Sequence, residues 1–209
     1  MKRLIVNADD LGYTAGINRG ILEAHERGIV TSTSMMVDRP AAHEGAEIAR
    51  STPSLSVGLH VVLDTAGTLT VTAETCDDEL ERQLSRFEAL VGSGPTHLDS
   101  HHHTHRDPQL LDAVVAFAHR HALPMREHTV PHCDRFFGDR AIGVDSLLAI
   151  LDRLDGGDTE LGCHPGYADG LVSRYTVERE RELETLTDPR VRARIDELGI
   201  ELIGWRDVS

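Results

Sequence analysis

The amino-acid sequence predicts an α/β fold in which parallel strands alternate with helices. Short apolar runs rich in β-branched residues alternate along the chain with amphipathic stretches of helical period. About seven such runs fit into 209 residues, a length that one domain with a sizeable core accommodates. The segment NADDLGYTAG after the first run lacks the Gly-x-Gly-x-x-Gly turn of dinucleotide-binding folds. We therefore expect one domain over residues 1–209, built as a small barrel, complete or incomplete, or as an open doubly wound sheet.

The first part of the chain contains two strand–helix units. Leu4–Val6 is predicted as a buried strand because it is a short apolar run. Ala15–Arg27 has apolar residues on one helical face, and Gly28 is a suitable stop for that helix. Val30–Val37 is predicted as the second strand. A helix with an alanine-lined inner face follows over Pro40–Arg50.

Two further units occupy the middle of the chain. Leu55–Leu63 is an apolar strand interrupted by one histidine. Asp77–Val91 is predicted as a helix, because acidic residues stand at its positive dipole end and apolar residues recur every three or four positions. Thr96–Ser100 is the fourth predicted strand, and the helix Pro108–His121 follows it.

The pattern becomes less regular towards the C-terminus. An irregular loop is expected between the fifth strand and about Asp139. The remaining predicted strands are Pro124–Arg126, Glu160–Cys163 and Ile200–Ile203. The remaining predicted helices are Ser146–Leu154 and Val177–Leu198, the second of which is broken near Asp188 by the following proline.

The composition excludes several classes of partner. Acidic residues outnumber basic ones by 35 to 21, which gives a net charge of −14. Because the chain has no basic cluster, we expect it to bind neither nucleic acid nor an anionic membrane. Its three cysteines are widely spaced, and it offers neither a signal peptide nor a run of ~20 apolar residues. We expect a cytoplasmic protein.

Histidine is the unusual residue of this sequence. The chain has 13 histidines, of which five lie between residues 97 and 105. Polar clusters stand in or just after four predicted strands: the Asp9–Asp10 pair, His60, the run DSHHHTH and His164. In parallel α/β folds the carboxyl ends of the strands lie on one side, which holds the active site. We therefore expect these four clusters to converge in space.

The aspartate pair and His60 are the first candidates for chemistry. Neighbouring residues of a strand point to opposite faces, so we expect one aspartate to ligate a metal and the other to serve as a base. The alternative for the pair is capping of the next helix, and for His60 a hydrogen-bonded place in the core. One carboxylate and two imidazoles together suit Zn²⁺, Co²⁺, Ni²⁺, Mn²⁺ or Fe²⁺.

The histidine-rich run offers a second imidazole. In a strand that leads into a loop, Asp99, His101 and His103 would share a face. We predict His101 as the ligand, since it is nearest the rigid strand end; a solvated metal-scavenging tract is the alternative. His97 is predicted to be structural. His164, held in a turn by the following Pro-Gly, suits a general acid or a turn hydrogen bond.

Five segments, in this order, resemble one known family. VNADDLG, GILEAHERGIVTSTSMMV, GLH, THLDSHHHTH and HPG are similar to segments of the YdjC-like carbohydrate deacetylases, which include chitooligosaccharide and hopanoid-sugar deacetylases. The resemblance extends from Leu4 to about Tyr167. It implies a single-domain, TIM-barrel-like, distorted (β/α) barrel with about seven parallel strands. It also implies a metal-dependent hydrolase that removes the N-acetyl group from an amino sugar or a short acetylated oligosaccharide.

Carried over by position, the resemblance implies roles for six residues. The implied ligands of one divalent metal ion are Asp10, His60 and His101. We expect Mg²⁺ or Zn²⁺ first, and then Mn²⁺, Co²⁺ or Ni²⁺. The implied catalytic residues are Asp9 as general base, His164 as general acid and Arg126 as the residue that orients the base.

The sequence departs from the family pattern after GLH. Family members often carry a long loop there that contributes to the sugar cleft and to subunit contacts, whereas this chain has only Val61–Cys76. With 4% aromatic residues, few rings are present to stack on long sugars. We therefore expect a small acetylated carbohydrate substrate. A homodimer stays open as a partner, although the short loop puts a dimer built on that loop in doubt. A metal-dependent phosphoesterase, with Arg106 and Arg126 as the nearby basic residues, and a non-catalytic metal-binding protein are the alternatives.

Overall fold

The computed structural model describes residues 1–171 and 175–208. Along these ranges the helices are α1 Ala15–Arg27, α2 Ala42–Ser51, α3 Ala73–Val91, α4 Leu111–Arg120, α5 Val144–Asp152, α6 Val177–Leu186 and α7 Pro189–Glu197. The strands are β1 Lys2–Leu11, β2 Ser32–Met35, β3 Ser56–Val61, β4 Asp64–Thr65, β5 Thr68–Leu69, β6 Leu98–Ser100, β7 His132–Cys133, β8 Gly157–Cys163 and β9 Ile200–Leu202. A 3₁₀ segment over His101–Arg106 follows β6.

Three helix ends lie at residues that their sequence favours. The Thr14 hydroxyl accepts a hydrogen bond from the Ile17 backbone N–H at the start of α1. Gly92, with φ of 84°, ends α3 in the left-handed conformation that glycine adopts without strain. Asp188 caps α7 ahead of a proline in its first turn. Along the described ranges, none of the helices has both the length and the apolar character to cross a membrane.

The main sheet has the strand order β6-β3-β2-β1-β8-β7, and β9 pairs with the first residues of β1. All of these pairings are parallel, as the alternation of strands and helices predicts. The segment around Met125 continues the sheet beyond β6, because the Leu98 N–H donates to Pro124 O and the Arg126 N–H donates to Leu98 O. β7, on the other edge of the sheet, begins shortly afterwards at His132. The sheet is therefore curled into a distorted barrel, which confirms the predicted fold class.

Several local predictions differ from the structure. α3 begins at Ala73 rather than at the predicted Asp77, because the chain is capped there by Thr72, whose backbone N–H donates to the Thr75 hydroxyl. The expected strand Pro124–Arg126 is reduced to isolated bridges at Met125 and Arg126. The expected loop before Asp139 contains the short strand β7. The histidine-rich run turns into a 3₁₀ segment in which His102 and His103 have positive φ, so the strand alternation that would align Asp99 with His103 stops at β6.

Both faces of the sheet are buried. β1 is buried from Leu4 to Leu11, and aliphatic side chains of the helices cover it. A smaller cluster of Ile5, Val130, Ile203 and Trp205 forms a second core. His97 lies there as predicted, stacked on the Trp205 indole with ring centroids 4.9 Å apart, and it takes no part in the cleft described below.

Candidate active site

One cleft of roughly 1030 Å³ receives all six predicted site residues. Asp9 and Asp10 come from β1, His60 from β3, and Arg126 from the segment that continues β6. His101 follows β6 and His164 follows β8. The convergence arises because the strands are parallel, so their carboxyl ends meet on one side of the barrel.

A bulge in β1 turns both aspartates into this cleft. From Ala8 to Leu11 the strand advances three residues while β2 advances two, from Thr33 to Met35, so β1 holds one extra residue. Asp10 has φ of 76°, in the left-handed region that non-glycine residues rarely occupy. The expectation that neighbouring aspartates point to opposite faces is therefore wrong, since it assumed a regular pleat.

Asp10, His60 and His101 bring three potential metal ligands together. Asp10 Oδ1 lies 3.4 Å from His60 Nε2 and 3.2 Å from His101 Nδ1. This oxygen is buried and has no hydrogen-bond partner, which is the condition in which a cation would satisfy it. The other oxygen, Oδ2, accepts a hydrogen bond of 2.5 Å from Arg179, so Oδ1 alone faces the two imidazoles. The donor set thus fits one divalent ion.

His60 is oriented from behind by Asp99. Its Nδ1 lies 2.7 Å from Asp99 Oδ1, and the Ser34 hydroxyl donates to Asp99 Oδ2 over 2.8 Å. A carboxylate behind an imidazole fixes the ring and directs its other nitrogen forward, here towards Asp10. Burial alone would lower the pKa of His60, but Asp99 and Asp10 together raise it to about 10. A metal ion would replace the proton on Nε2.

Asp9 lies beside this group and is held by Arg126. The guanidinium donates to the two carboxylate oxygens over 2.8 and 2.7 Å, and the Asn7 amide donates to Oδ1 over 2.8 Å. Burial favours the neutral acid, but the charge and hydrogen bonds of Arg126 outweigh it and lower the pKa of Asp9 well below its usual range. Arg126 also contacts Asp99 and Glu160, at 2.9 Å each. One fully buried guanidinium therefore connects three buried carboxylates.

His164 lies beside Asp9 in the same cleft. Its Nε2 lies 3.9 Å from Asp9 Oδ2, and its Nδ1 lies 3.9 Å from Glu182 Oε1. The His164 backbone N–H and the Tyr175 hydroxyl each donate to Glu182 over 2.5 Å. Burial lowers the pKa of His164 to about 4 and raises the pKa of Glu182 to about 7. The imidazole is therefore neutral at pH 7 and can accept a proton from a neighbouring acid.

Sequence reasoning missed three of the charged residues in this network. Arg179 and Glu182 lie on α6, in the segment VERERELETL, whose many charges suggest a solvent-exposed helix. Both residues are four positions from Leu183 or Leu186, so all four side chains share the buried face of the helix. This helical spacing was the sequence signal that could have identified them. Glu160 could have been identified as an acidic residue inside a predicted strand, because such a residue is rarely buried without a partner.

Comparison with known proteins assigns the chain to a family. The family profile described as YdjC-like protein matches residues 3–197. The chain belongs to the YdjC-like family. A carbohydrate deacetylase from Geobacillus stearothermophilus is 38% identical to this YdjC-like chain, over 97% of the chain and 96% of the relative. A chitooligosaccharide deacetylase from Serratia marcescens is 35% identical, over 99% of each protein.

Solved structures support the fold of this YdjC-like chain. A protein from Enterococcus faecalis V583 superposes with a TM-score of 0.90 at 32% identity, covering 100% of this chain and 99% of that one. A family 4 carbohydrate esterase from Streptomyces lividans, solved in complex with acetate, gives a TM-score of 0.65 at 11% identity, over 99% and 95% of the two chains. The second likeness concerns the fold alone.

This YdjC-like chain is shorter than its relatives. Its alignment with the Geobacillus protein spans 237 positions, more than the 209 residues of the chain, so the relative carries insertions. After β3, where the sequence predicts a shortened loop, the structure has only the two-stranded hairpin β4–β5. Asp64, Thr65, Ala66 and Gly67 of this hairpin line the cleft.

Proposed function

We propose that this YdjC-like protein is a metal-dependent carbohydrate deacetylase that hydrolyses the N-acetyl group of an amino sugar and releases acetate. The observation that carries the proposal is the unpartnered Asp10 Oδ1 facing two imidazole nitrogens, beside a second, ionised aspartate. The relatives named carbohydrate and chitooligosaccharide deacetylases point to the substrate class. The alternative of a phosphoesterase is less well supported, because the two sequence relatives described above are both named deacetylases, whereas a phosphorylated sugar appears, among the proteins described above, only in the name of the Enterococcus faecalis protein, a cellobiose-phosphate cleavage protein.

Asp10, His60 and His101 would hold the metal ion. Two imidazoles and one carboxylate favour Zn²⁺ over Mg²⁺, since Mg²⁺ prefers oxygen ligands, and Co²⁺, Ni²⁺ or Mn²⁺ also suit the site. The bound ion would supply Lewis-acid polarisation of the acetyl carbonyl and acidify a water molecule. Arg179 donates to the second oxygen of Asp10, so that aspartate would offer a single ligand atom to the ion.

Asp9 is the proposed general base. It is ionised at neutral pH, and Arg126 and Asn7 fix its carboxylate towards the cleft. As the water oxygen bonds to the carbonyl carbon, Asp9 takes one proton from that water. Arg126 thus acts through Asp9 as a positioning residue.

His164 is the proposed general acid. Its Nε2 is 3.9 Å from Asp9 Oδ2, close enough for a small adjustment to pass the proton from the aspartate to the imidazole. When the carbon–nitrogen bond breaks, His164 transfers this proton to the departing amine, which leaves acetate and a free amino sugar. Because burial lowers the pKa of His164 to about 4, its imidazolium is a stronger acid than an ordinary one, which favours proton transfer to the amine.

The proposal is tested by measuring acetate release from N-acetylglucosamine and N,N′-diacetylchitobiose, with metal content determined on the same preparation. Release of phosphate from sugar phosphates is measured in parallel. We expect acetate release that scales with metal content and no phosphate release. Phosphate without acetate would overturn the proposal in favour of the phosphoesterase, and a metal-loaded protein without either activity would favour the non-catalytic alternative.

A further inference from the structure

Phe137 is a large apolar side chain that faces solvent inside the cleft. It is 56% exposed, while its neighbour Phe136 is buried in the core at 1%. The other large hydrophobic residues that are exposed in the described ranges are Met1 and Val177, and neither of them lines the cleft. Packing of the core therefore does not account for the phenyl ring of Phe137, and its position within the cleft suggests contact with a ligand.

The ring of Phe137 is held in a fixed orientation. It stacks on Tyr175 with centroids 4.9 Å apart and planes inclined by 7°. The Tyr175 hydroxyl donates to Glu182 over 2.5 Å and accepts from the Gly138 backbone N–H over 3.3 Å. Tyr175 thus covers one face of the phenyl ring and is itself anchored by the buried Glu182. A rigid ring offers contact area at a small cost in conformational entropy.

The phenyl ring lies next to the proposed general acid. Its centroid is 5.6 Å from that of the His164 imidazole, in an edge-to-face arrangement at 64°. In the proposed reaction His164 protonates the nitrogen on the sugar ring, so that ring must lie beside His164. The sugar that loses its acetyl group is therefore the part of the substrate nearest to Phe137.

We propose that Phe137 is a stacking platform for the pyranose ring of the acetylated sugar. This inference rests on the proposed function and names the substrate feature that the site recognises. A pyranose presents axial C–H groups on its faces and hydroxyls at its edge, and the C–H groups complement the electron-rich face of an aromatic ring. Polar side chains that line the same cleft, among them Asp134, are available for hydrogen bonds to hydroxyls at the sugar edge.

The low aromatic content of the sequence predicts few rings for stacking on sugars, and Phe137 supplies one such ring. Two of the seven Phe and Tyr residues are stacked on each other at the catalytic side of the cleft. A single ring next to His164 recognises one sugar residue and requires no long aromatic track. The platform accordingly predicts a monosaccharide or the end of a short oligosaccharide as substrate.

The test compares Phe137→Ala, Phe137→Leu and Phe137→Trp with wild type on N-acetylglucosamine and N,N′-diacetylchitobiose. Loss of one covered ring face corresponds to about a tenfold weaker affinity. We expect KM to rise about tenfold in the Ala and Leu variants with kcat within about twofold, and KM to be retained in the Trp variant. Val177→Ala, an exposed apolar truncation outside the cleft, is the matched control and leaves KM unchanged. Unchanged KM in Phe137→Ala would overturn the platform.

A binding measurement separates the platform from the proposed reaction. Calorimetric titration with glucosamine, the expected product, requires no turnover. Weaker binding to Phe137→Ala than to wild type supports the platform even if neither protein releases acetate, in which case the proposed function alone fails. Equal binding to both proteins overturns the platform even if acetate is released. Melting temperatures within about 2 °C of wild type confirm that the variants are folded, as expected for an exposed side chain.

Discussion

Removal of Arg126 should destabilise this protein strongly. It is fully buried and contacts three buried carboxylates, on Asp9, Asp99 and Glu160. Substitution of Arg126 by Gln keeps a hydrogen-bonding side chain but removes the positive charge. The three carboxylates would then repel one another without a cation between them.

The expected loss of unfolding free energy in Arg126→Gln follows from the burial of Arg126 and its three carboxylate partners. Breaking a buried ion pair by removing one partner typically costs about 3–5 kcal/mol. For a chain of this length, each kcal/mol lowers the melting temperature by roughly 2–4 °C, so we expect a decrease on the order of 10 °C. Arg82→Gln is the matched control, because Arg82 also contacts two carboxylates, Asp38 and Glu79, but is 48% exposed. We expect it to cost about 1 kcal/mol or less.

The loss of stability caused by Arg126→Gln should depend on pH. Burial would raise the pKa of Asp99, but Arg126 and His60 lower it to about 2, and Arg126 also lowers the pKa of Glu160. In wild type these carboxylates stabilise the fold above the unfolded-state pKa of ~4, and that stability is lost as pH falls towards 2. Without Arg126, burial raises their pKa values, so the variant loses stability as pH increases through those values.

Urea unfolding followed by circular dichroism at pH 4.5 and 7.5 measures this difference. We expect the gap in unfolding free energy between wild type and Arg126→Gln to be larger at pH 7.5. An equal gap at both pH values, or a variant as stable as wild type, would refute the assignment of Arg126 as the charge that balances the three carboxylates.

Three further predictions concern the reaction. His164→Gln should lower kcat for acetate release by about 10²–10⁴-fold with metal content unchanged, since the residue supplies a proton and no ligand; loss of metal in this variant would contradict its role. Glu182→Gln should remove an inflection near pH 7 from the kcat/KM profile, because the pKa of Glu182 is raised to about 7 by burial; an unchanged profile would show that Glu182 does not influence His164. Dialysis against a chelator should abolish acetate release, and added Zn²⁺ should restore it; full activity of the metal-free protein would exclude a metal role.

The sequence contained enough information for the fold and for the convergence of the site. Strand–helix alternation determines parallel pairing, and parallel pairing brings the carboxyl ends of β1, β3, β6 and β8 together. For this reason the Asp9–Asp10 pair, His60 and His101, which are far apart in the chain, could be predicted to meet; the choice of Asp10 as the ligand came from the family resemblance. The prediction needed only the position of each residue relative to the end of its strand.

The details that depend on irregular backbone could not be predicted in this way. The positive φ of Asp10 and the extra residue in β1 place both aspartates in one cleft, and neither feature leaves a periodic pattern in the sequence. The 3₁₀ segment after β6 likewise replaces an expected extended loop. Arg179 and Glu182 were hidden because their charge suggests exposure, whereas tertiary contacts with Asp10 and His164 bury them.

The proposed reaction depends most on the different roles of two neighbouring aspartates, Asp9 as the general base and Asp10 as a metal ligand. The most direct test measures metal content and acetate release together in Asp9→Asn and Asp10→Asn. Arg126 keeps two carboxylate partners in Asp9→Asn, so that variant should remain folded. We predict that Asp9→Asn retains its metal and loses turnover, while Asp10→Asn loses both. Equal loss of metal in the two variants, or turnover by Asp9→Asn near the wild-type rate, would contradict the account.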